Sequence, residues 1–301
     1  MGSVAFLFPG QGAQYLGMAS SLCDKFSPAL LRFQQASEVL GYNLLDICKN
    51  GPLEKLNSTE VSQPAIYVAS LACLDFLNFE NPSAAESCKV SAGLSLGEYT
   101  ALTFAGSINF EDGIKLVKER GKAMQAASEK TASGMISVIG AEKNQVLQLC
   151  LEAGTIGLIQ IANFLCPGNI VVSGDATACD FLEKIALNKG IKTIRLSVAG
   201  AFHTPIMEPA VSRLVKILAN TNINATKINV LANVDALEHS DSASIRNKLA
   251  LQVVHPVLWE DSMRKILDSG VEKLYEVGPG RVLAGLAKRI NRKIEITNIL
   301  A

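Results

Sequence analysis

No charge of either sign is in surplus in this chain of 301 residues: 28 Lys and Arg balance 28 Asp and Glu, for a formal net charge of zero. Without a basic excess to neutralise phosphates, nucleic acid is excluded as the main partner. Histidine is scarce. The three present (203, 239, 255) share no metal-ligand spacing with one another or with cysteine, so no metal site is expected. The seven cysteines (23, 48, 73, 88, 150, 166, 179) contain no C-x-x-C pair and are odd in number, which argues against a disulfide framework and for a reducing compartment. No run reaches the roughly 18 apolar residues of a membrane span. The chain passes from Met1-Gly2-Ser3 straight into an apolar strand, with no targeting segment in this numbering. What is present, 49% hydrophobic and 19% charged residues, is the composition of an ordinary soluble globular protein. Its length suits one large domain or a domain carrying an insert.

Apolar runs and amphipathic stretches alternate along the chain. Val4-Ala5-Phe6-Leu7-Phe8, stopped by Pro9-Gly10, is apolar at every position, as a parallel strand buried on both faces requires. Similar strands are expected at 90–94, 228–232 and 273–277, and helices at 62–79, 110–127, 205–219, 242–253 and 257–268. Strands separated by helices of that length predict an α/β domain with a mostly parallel sheet. Between residues 128 and 197 the rhythm changes to strand 135–139, helix 143–153, strands 158–163 and 169–173, helix 176–188 and strand 192–196. This βαββαβ order is that of a ferredoxin-like unit. The expected division is a large domain of residues 1–127 and 198–301 with a small domain, 128–197, inserted into it.

A serine stands between two glycines, Gly93-Leu94-Ser95-Leu96-Gly97, where the strand ending Lys89-Val90-Ser91-Ala92 hands over to a helix beginning Glu98-Tyr99-Thr100-Ala101. On such a turn the serine backbone is strained and its hydroxyl exposed, while small residues two positions to either side keep the turn from clashing with itself. Ser95 is therefore a candidate nucleophile. The amide of Leu96, at the helix N-terminus, and that of Gln11, in the Pro9-Gly10-Gln11-Gly12 loop after the first strand, form a candidate oxyanion hole. That loop matches neither the dinucleotide fingerprint nor a phosphate-binding loop. Of the histidines, His239 sits in a polar loop and His255 precedes Pro256 at a helix boundary. His203, in Gly200-Ala201-Phe202-His203-Thr204-Pro205, follows the return of the chain from the insert and is the candidate base. No spacing singles out an acidic third member, so an amide or a backbone carbonyl could equally orient it. Arg120 offers the fork that grips a carboxylate through two parallel hydrogen bonds.

Taken in order, Pro9-Gly10-Gln11-Gly12, Gly93-Leu94-Ser95-Leu96-Gly97-Glu98-Tyr99, Arg120-Gly121-Lys122-Ala123-Met124-Gln125, Gly200-Ala201-Phe202-His203 and Glu276-Val277-Gly278-Pro279-Gly280 resemble the motifs of malonyl-CoA:acyl-carrier-protein transacylases, over nearly the whole chain. The resemblance implies a hydrolase-like α/β core with a ferredoxin-like subdomain, and transfer of malonyl from malonyl-CoA to holo acyl carrier protein, for fatty acid synthesis, through a malonyl-serine. It implies Ser95 as nucleophile, His203 as base held by the backbone carbonyl of Gln252, and Gln11 and Leu96 as oxyanion hole. Arg120 becomes the partner of the malonyl carboxylate, Asn163 a substrate-side residue, and Phe202 a mark of malonyl selection. No cofactor is implied, and a monomer with no nucleic-acid or membrane partner is expected. Leu94 departs from the common bacterial pattern, which has histidine there, and looks more like plastid versions. That points to plastid stroma or a plastid-derived organelle, otherwise to bacterial cytoplasm. Lys115, Lys118, Lys122, Arg281, Lys288 and Arg289 are the basic candidates for docking an acidic carrier protein. A serine thioesterase or esterase would use the same nucleophile with water as acceptor, and Arg120 is the feature that separates the two readings. A catalytically silent carrier-binding module is disfavoured by the intact Ser95 and His203.

Overall fold

A computed structural model describes residues 2–301. Its strands are β1 (Val4–Phe8), β2 (Cys88–Gly93), β3 (Ser133–Ile139), β4 (Ile159–Cys166), β5 (Asn169–Asp175), β6 (Lys192–Arg195), β7 (Asn229–Leu231), β8 (Val257–Leu258), β9 (Lys273–Val277) and β10 (Glu295–Ile299). Five of them form an all-parallel sheet in the order β10-β9-β1-β2-β7. β1 lies at its centre, and the apolar pattern explains why. Phe6 and Phe8 join the core beneath the helix Thr59–Glu80, while Ala5 and Leu7 join the opposite core with Trp259 and Leu283. Strands with both faces covered in this way need an apolar residue at every position.

The second sheet has the order β6-β3-β5-β4-β8. Within it β3, β4, β5 and β6 pair antiparallel, with the helices Lys143–Ala153 and Ala176–Asn188 following β3 and β5, which is the ferredoxin-like βαββαβ arrangement. Its core, built around Ile136, Val172 and Leu182, is separate from those of the large sheet. All seven cysteines are buried and unpaired.

Several boundaries differ from the sequence expectation. The helix expected at 257–268 starts at Trp259, because Val257 and Leu258 pair instead with Asn163 and Phe164 as the edge strand of the small sheet. This ties the two sheets together. The helix expected at 62–79 runs from Thr59 to Glu80, opened by the Ser58 carbonyl, which accepts from Val61 and Ser62 ahead of Pro64. The expected helix at 205–219 divides into a 3-10 turn, Pro205–Met207, and the helix Glu208–Asn220.

Candidate active site

Ser95 follows β2 at the carboxyl edge of the parallel sheet, beside the loop that leaves β1; such edges are where α/β sheets bind ligands. Its φ is 52°, in the left-handed region that side chains rarely adopt. The flanking glycines are required by contact distances. A Cβ on Gly93 would stand 1.8 Å from the carbonyl carbon of Gly97, and one on Gly97 would stand 2.1 Å from the Phe8 carbonyl oxygen. The elbow is held from outside by Asn233, whose Oδ1 accepts the Ser95 N–H at 2.7 Å while its Nδ2 donates to the Gly93 carbonyl at 2.8 Å.

His203 also has a positive φ, 63°, and is 3% exposed. Its Nδ1 lies 2.7 Å from the backbone oxygen of Gln252 and its Nε2 lies 2.9 Å from Ser95 Oγ. A carbonyl only accepts, so Nδ1 carries the proton and Nε2 is left as the acceptor for the serine hydroxyl. The group that orients the imidazole, which the sequence left open, is therefore a backbone carbonyl. Burial pushes the pKa of His203 down to about 4, with the Gln252 carbonyl pulling it up and the charge of Arg120 adding to the fall. The imidazole is neutral at pH 7 and free to take a proton. His239 bonds Asp235 and Ser244, and His255 is exposed with Nδ1 on the Leu251 carbonyl; neither contacts Ser95.

Arg120 projects from the helix Phe110–Ser128 and is 1% exposed. Its Nη1 donates to Gln63 Oε1 at 2.8 Å; its Nη2 donates to Gln252 Oε1 at 2.8 Å and to Ser95 Oγ at 3.1 Å. Every one of these acceptors is uncharged. The guanidinium carbon lies 5.1 Å from the centre of the Tyr99 ring, and Nε has no hydrogen-bond partner among the described residues. Burial pulls the pKa of Arg120 down from its ordinary value. Gly121 permits this placement: a Cβ there would stand 2.7 Å from the Thr59 carbonyl oxygen, so its absence lets the helix approach Thr59–Glu80 closely enough for Gln63 to reach the guanidinium.

These groups open on one cavity of about 210 Å³ between the two sheets. Gln11, Leu96, Asn163 and Phe202 line it as well. The amides of Gln11 and Leu96 have no acceptor among the described residues, although their neighbours Gly12, Ala13, Gly97 and Glu98 all do. Two N–H groups without acceptors, on residues lining the same cavity as Ser95, are of the kind a developing oxyanion needs. Leu94 adds an apolar wall with Met124 and Met135.

Residues 5–296 match the model of the acyl transferase domain family. The malonyl-CoA–acyl carrier protein transacylase of mouse mitochondria is 41% identical over 300 residues, covering 95% of this chain and 78% of that one. This chain belongs to the malonyl-CoA–acyl carrier protein transacylase family. A family member from Haemophilus influenzae is 38% identical over 96% of this chain and 93% of its own. The crystal structure of the Xanthomonas oryzae member superposes with a TM-score of 0.95 at 38% identity, over 99% of this chain and 95% of that one. A malonyl-transacylase solved in complex with a type II PKS acyl-carrier protein superposes with a TM-score of 0.94 at 35% identity, over 98% of this chain and 95% of that one.

The structure also brings in Gln63 and Asn233, which lie outside the quoted motifs, and Glu98, which lies within one but was given no role. Gln63 carried a weak signal, as a buried polar residue inside an otherwise apolar helix. The basic docking candidates differ in their surroundings. Lys118 is half-buried and donates to the Val39 and Leu40 carbonyls at the end of the helix Ser27–Leu40, so it caps that helix. Lys288 donates to the Arg292 and Ile294 carbonyls and Arg289 to those of Pro167 and Gly168. Lys122 lies 3.8 Å from Glu119, while Lys115 and Arg281 are exposed.

Proposed function

We propose that this protein transfers a malonyl group from malonyl-CoA to the phosphopantetheine thiol of acyl carrier protein through a malonyl-serine, for fatty acid synthesis. The observation that carries the reading is Arg120: a buried cation with only uncharged partners, one of them the Ser95 hydroxyl, on the wall of the same cavity. A buried charge with no counter-ion in direct contact is costly, and an arriving carboxylate relieves that cost. A malonyl thioester has such a carboxylate, one methylene away from its reacting carbonyl. A general esterase has no use for it.

In the first half-reaction His203 Nε2 takes the Ser95 proton as Oγ attacks the thioester carbon. The amides of Gln11 and Leu96 hold the oxyanion, the C–S bond breaks, and His203 returns the proton to the departing CoA sulfur. In the second half His203 takes the proton of the carrier thiol, whose sulfur attacks the malonyl ester, and Ser95 Oγ recovers the proton as it leaves. Ping-pong kinetics follow. The thioester is already activated, so the scheme calls for no metal or cofactor. Asn163 and Phe202 shape the acyl side of the cavity.

The same reading takes residues 1–127 with 198–301 and residues 128–197 as two domains, supported by their separate cores. It takes the enzyme as a monomer. A membrane or nucleic-acid partner has no support: the net charge is zero, and among the described residues no helix is long and apolar enough to cross a membrane. A plastid-type compartment, otherwise bacterial cytoplasm, rests on Leu94 and its neighbours, whereas the relatives compared are mitochondrial and bacterial. Incubation with radiolabelled malonyl-CoA tests the central step. Acid-stable label on Ser95, discharged by holo carrier protein, is expected; discharge by water alone would identify a hydrolase.

A further inference from the structure

Glu98 lies in the first turn of the helix Gly97–Phe104, is 3% exposed, and takes no part in the steps above. Its Oε2 accepts two hydrogen bonds, from the backbone N–H of Asn233 at 3.0 Å and from Gln252 Nε2 at 2.6 Å. Both donors belong to residues that touch the reacting groups. Asn233 holds the Ser95 N–H, and Gln252 offers Oε1 to Arg120.

The donor and acceptor roles leave one arrangement. Two acceptors, Glu98 Oε2 and the Ser95 carbonyl at 3.0 Å, meet the same end of the Gln252 side chain, so its amide nitrogen faces them. Its oxygen then faces Arg120. Turning the amide over would set nitrogen against guanidinium nitrogen, donor to donor, and oxygen against carboxylate. The amide also keeps two opposite charges apart. A carboxylate bonded directly to Arg120 would compete with the acyl group for the guanidinium, whereas a carboxylate one amide away compensates the cation and leaves the Nη2 proton that meets Ser95 Oγ free to turn to an acyl carboxylate.

We infer that Glu98 is a positioning residue for acyl selection: through the side-chain amide of Gln252 it holds Arg120 in the orientation that receives the free carboxylate of the acyl group. The inference rests on the malonyl reading of Arg120 and adds a residue that acts at one remove.

The test compares kcat/KM for malonyl-CoA and acetyl-CoA in wild type, Arg120→Ala, Glu98→Gln, Glu98→Leu, Gln252→Met and the double variant Glu98→Leu/Gln252→Met. Glu98→Leu and Gln252→Met should each lower the malonyl-to-acetyl ratio about tenfold or more, through a raised malonyl KM, and the double variant should fall no further. Glu98→Gln keeps an acceptor oxygen at the same reach and should hold the ratio within about threefold of wild type. A wild-type ratio in Glu98→Leu, or additive losses in the double variant, would overturn the inference. Should Glu98→Leu not fold, the other two single variants decide: Glu98→Gln must keep the ratio and Gln252→Met must lower it, and either failure overturns the inference. If wild type shows no preference for malonyl, or Arg120→Ala retains one, the malonyl reading itself fails. If Arg120→Ala abolishes the preference and Glu98→Leu keeps it, only the role of Glu98 fails.

Discussion

Arg120 and Ser95 share a hydrogen bond: guanidinium Nη2 donates to the serine Oγ at 3.1 Å. Because Oγ accepts from that side, its own proton is directed to His203 Nε2, 2.9 Å away, and the His203 Nδ1 proton to the Gln252 carbonyl. In the proposed mechanism these are the residue that reads the acyl group and the residue that attacks it, and an incoming carboxylate would take over Nη2 and free the hydroxyl oxygen to attack.

Selectivity follows from that contact. In Arg120→Ala the malonyl carboxylate enters a buried site unpaired, at a cost of roughly 3 kcal/mol or more, about a hundredfold in kcat/KM. Acetyl-CoA has no carboxylate to lose and should be used as well or better. Arg120→Lys should rescue malonyl transfer only partly, since an ammonium keeps the charge without the two-point geometry. Equal losses for both thioesters would show that Arg120 serves the fold instead.

The elbow separates chemistry from backbone strain. Ser95→Ala and Ser95→Gly both lack Oγ, and intact-mass measurement after malonyl-CoA should find no acyl adduct on either. They differ only in tolerance of the 52° φ, so Ser95→Gly should be the more stable by about 1 kcal/mol in denaturant unfolding. Equal stability would mean that the backbone is unstrained there.

Replacing the flanking glycines should be far more damaging. A methyl group on Gly93 or Gly97 would lie 1.8 Å or 2.1 Å from backbone that cannot move aside without breaking the turn. Gly93→Ala and Gly97→Ala should each lose on the order of 3 kcal/mol or more, together with acyl-enzyme formation. Wild-type thermal midpoints would contradict the contact distances.

The pH profile of the first half-reaction should report His203. With its pKa near 4, His203 should make kcat/KM for malonyl-CoA fall as pH drops through about 4, and itself contribute no inflection at the ordinary histidine value of 6.5. Burial raises Glu98 to about 7, against the pull of its Asn233 and Gln252 hydrogen bonds and of Arg120. An inflection near neutrality should therefore disappear in Glu98→Gln.

Stability should respond to the same two groups with opposite signs. The unfolded chain protonates His203 near 6.5, before the folded state does near 4, so its contribution is complete above pH 6.5 and is lost as pH falls toward 4. For Glu98 the folded state takes up the proton first, so its contribution is present below pH 4.5 and is lost as pH rises through about 7. Thermal midpoints of His203→Gln relative to wild type should therefore shift upward between pH 7 and pH 5, and those of Glu98→Gln should shift upward between pH 5 and pH 8. A shift in the other direction in either variant would reverse the assignment.

The strand-turn-helix around Ser95, the two-faced burial of β1 and the βαββαβ order were legible in the sequence because each depends on residues a few positions apart. Apolar period separates strand from helix, and a Cβ on Gly93 would meet the backbone of Gly97, four residues on, within the turn itself. What only the tertiary structure decided is the arrangement around those elements. Asn233 meets Ser95 across 138 residues, and Gln252 meets Glu98 across 154. The carbonyl that orients His203 has no side-chain signature, being backbone, and was reached from sequence only through the family resemblance. Lys118 looked like a free surface charge until packing set it over the carbonyls of Val39 and Leu40. The physical reason is common to all of these. Periodicity and turn chemistry are local properties of the chain, whereas a buried polar group is satisfied by whichever donor or acceptor the folded core brings within 3 Å, roughly the length of one hydrogen bond.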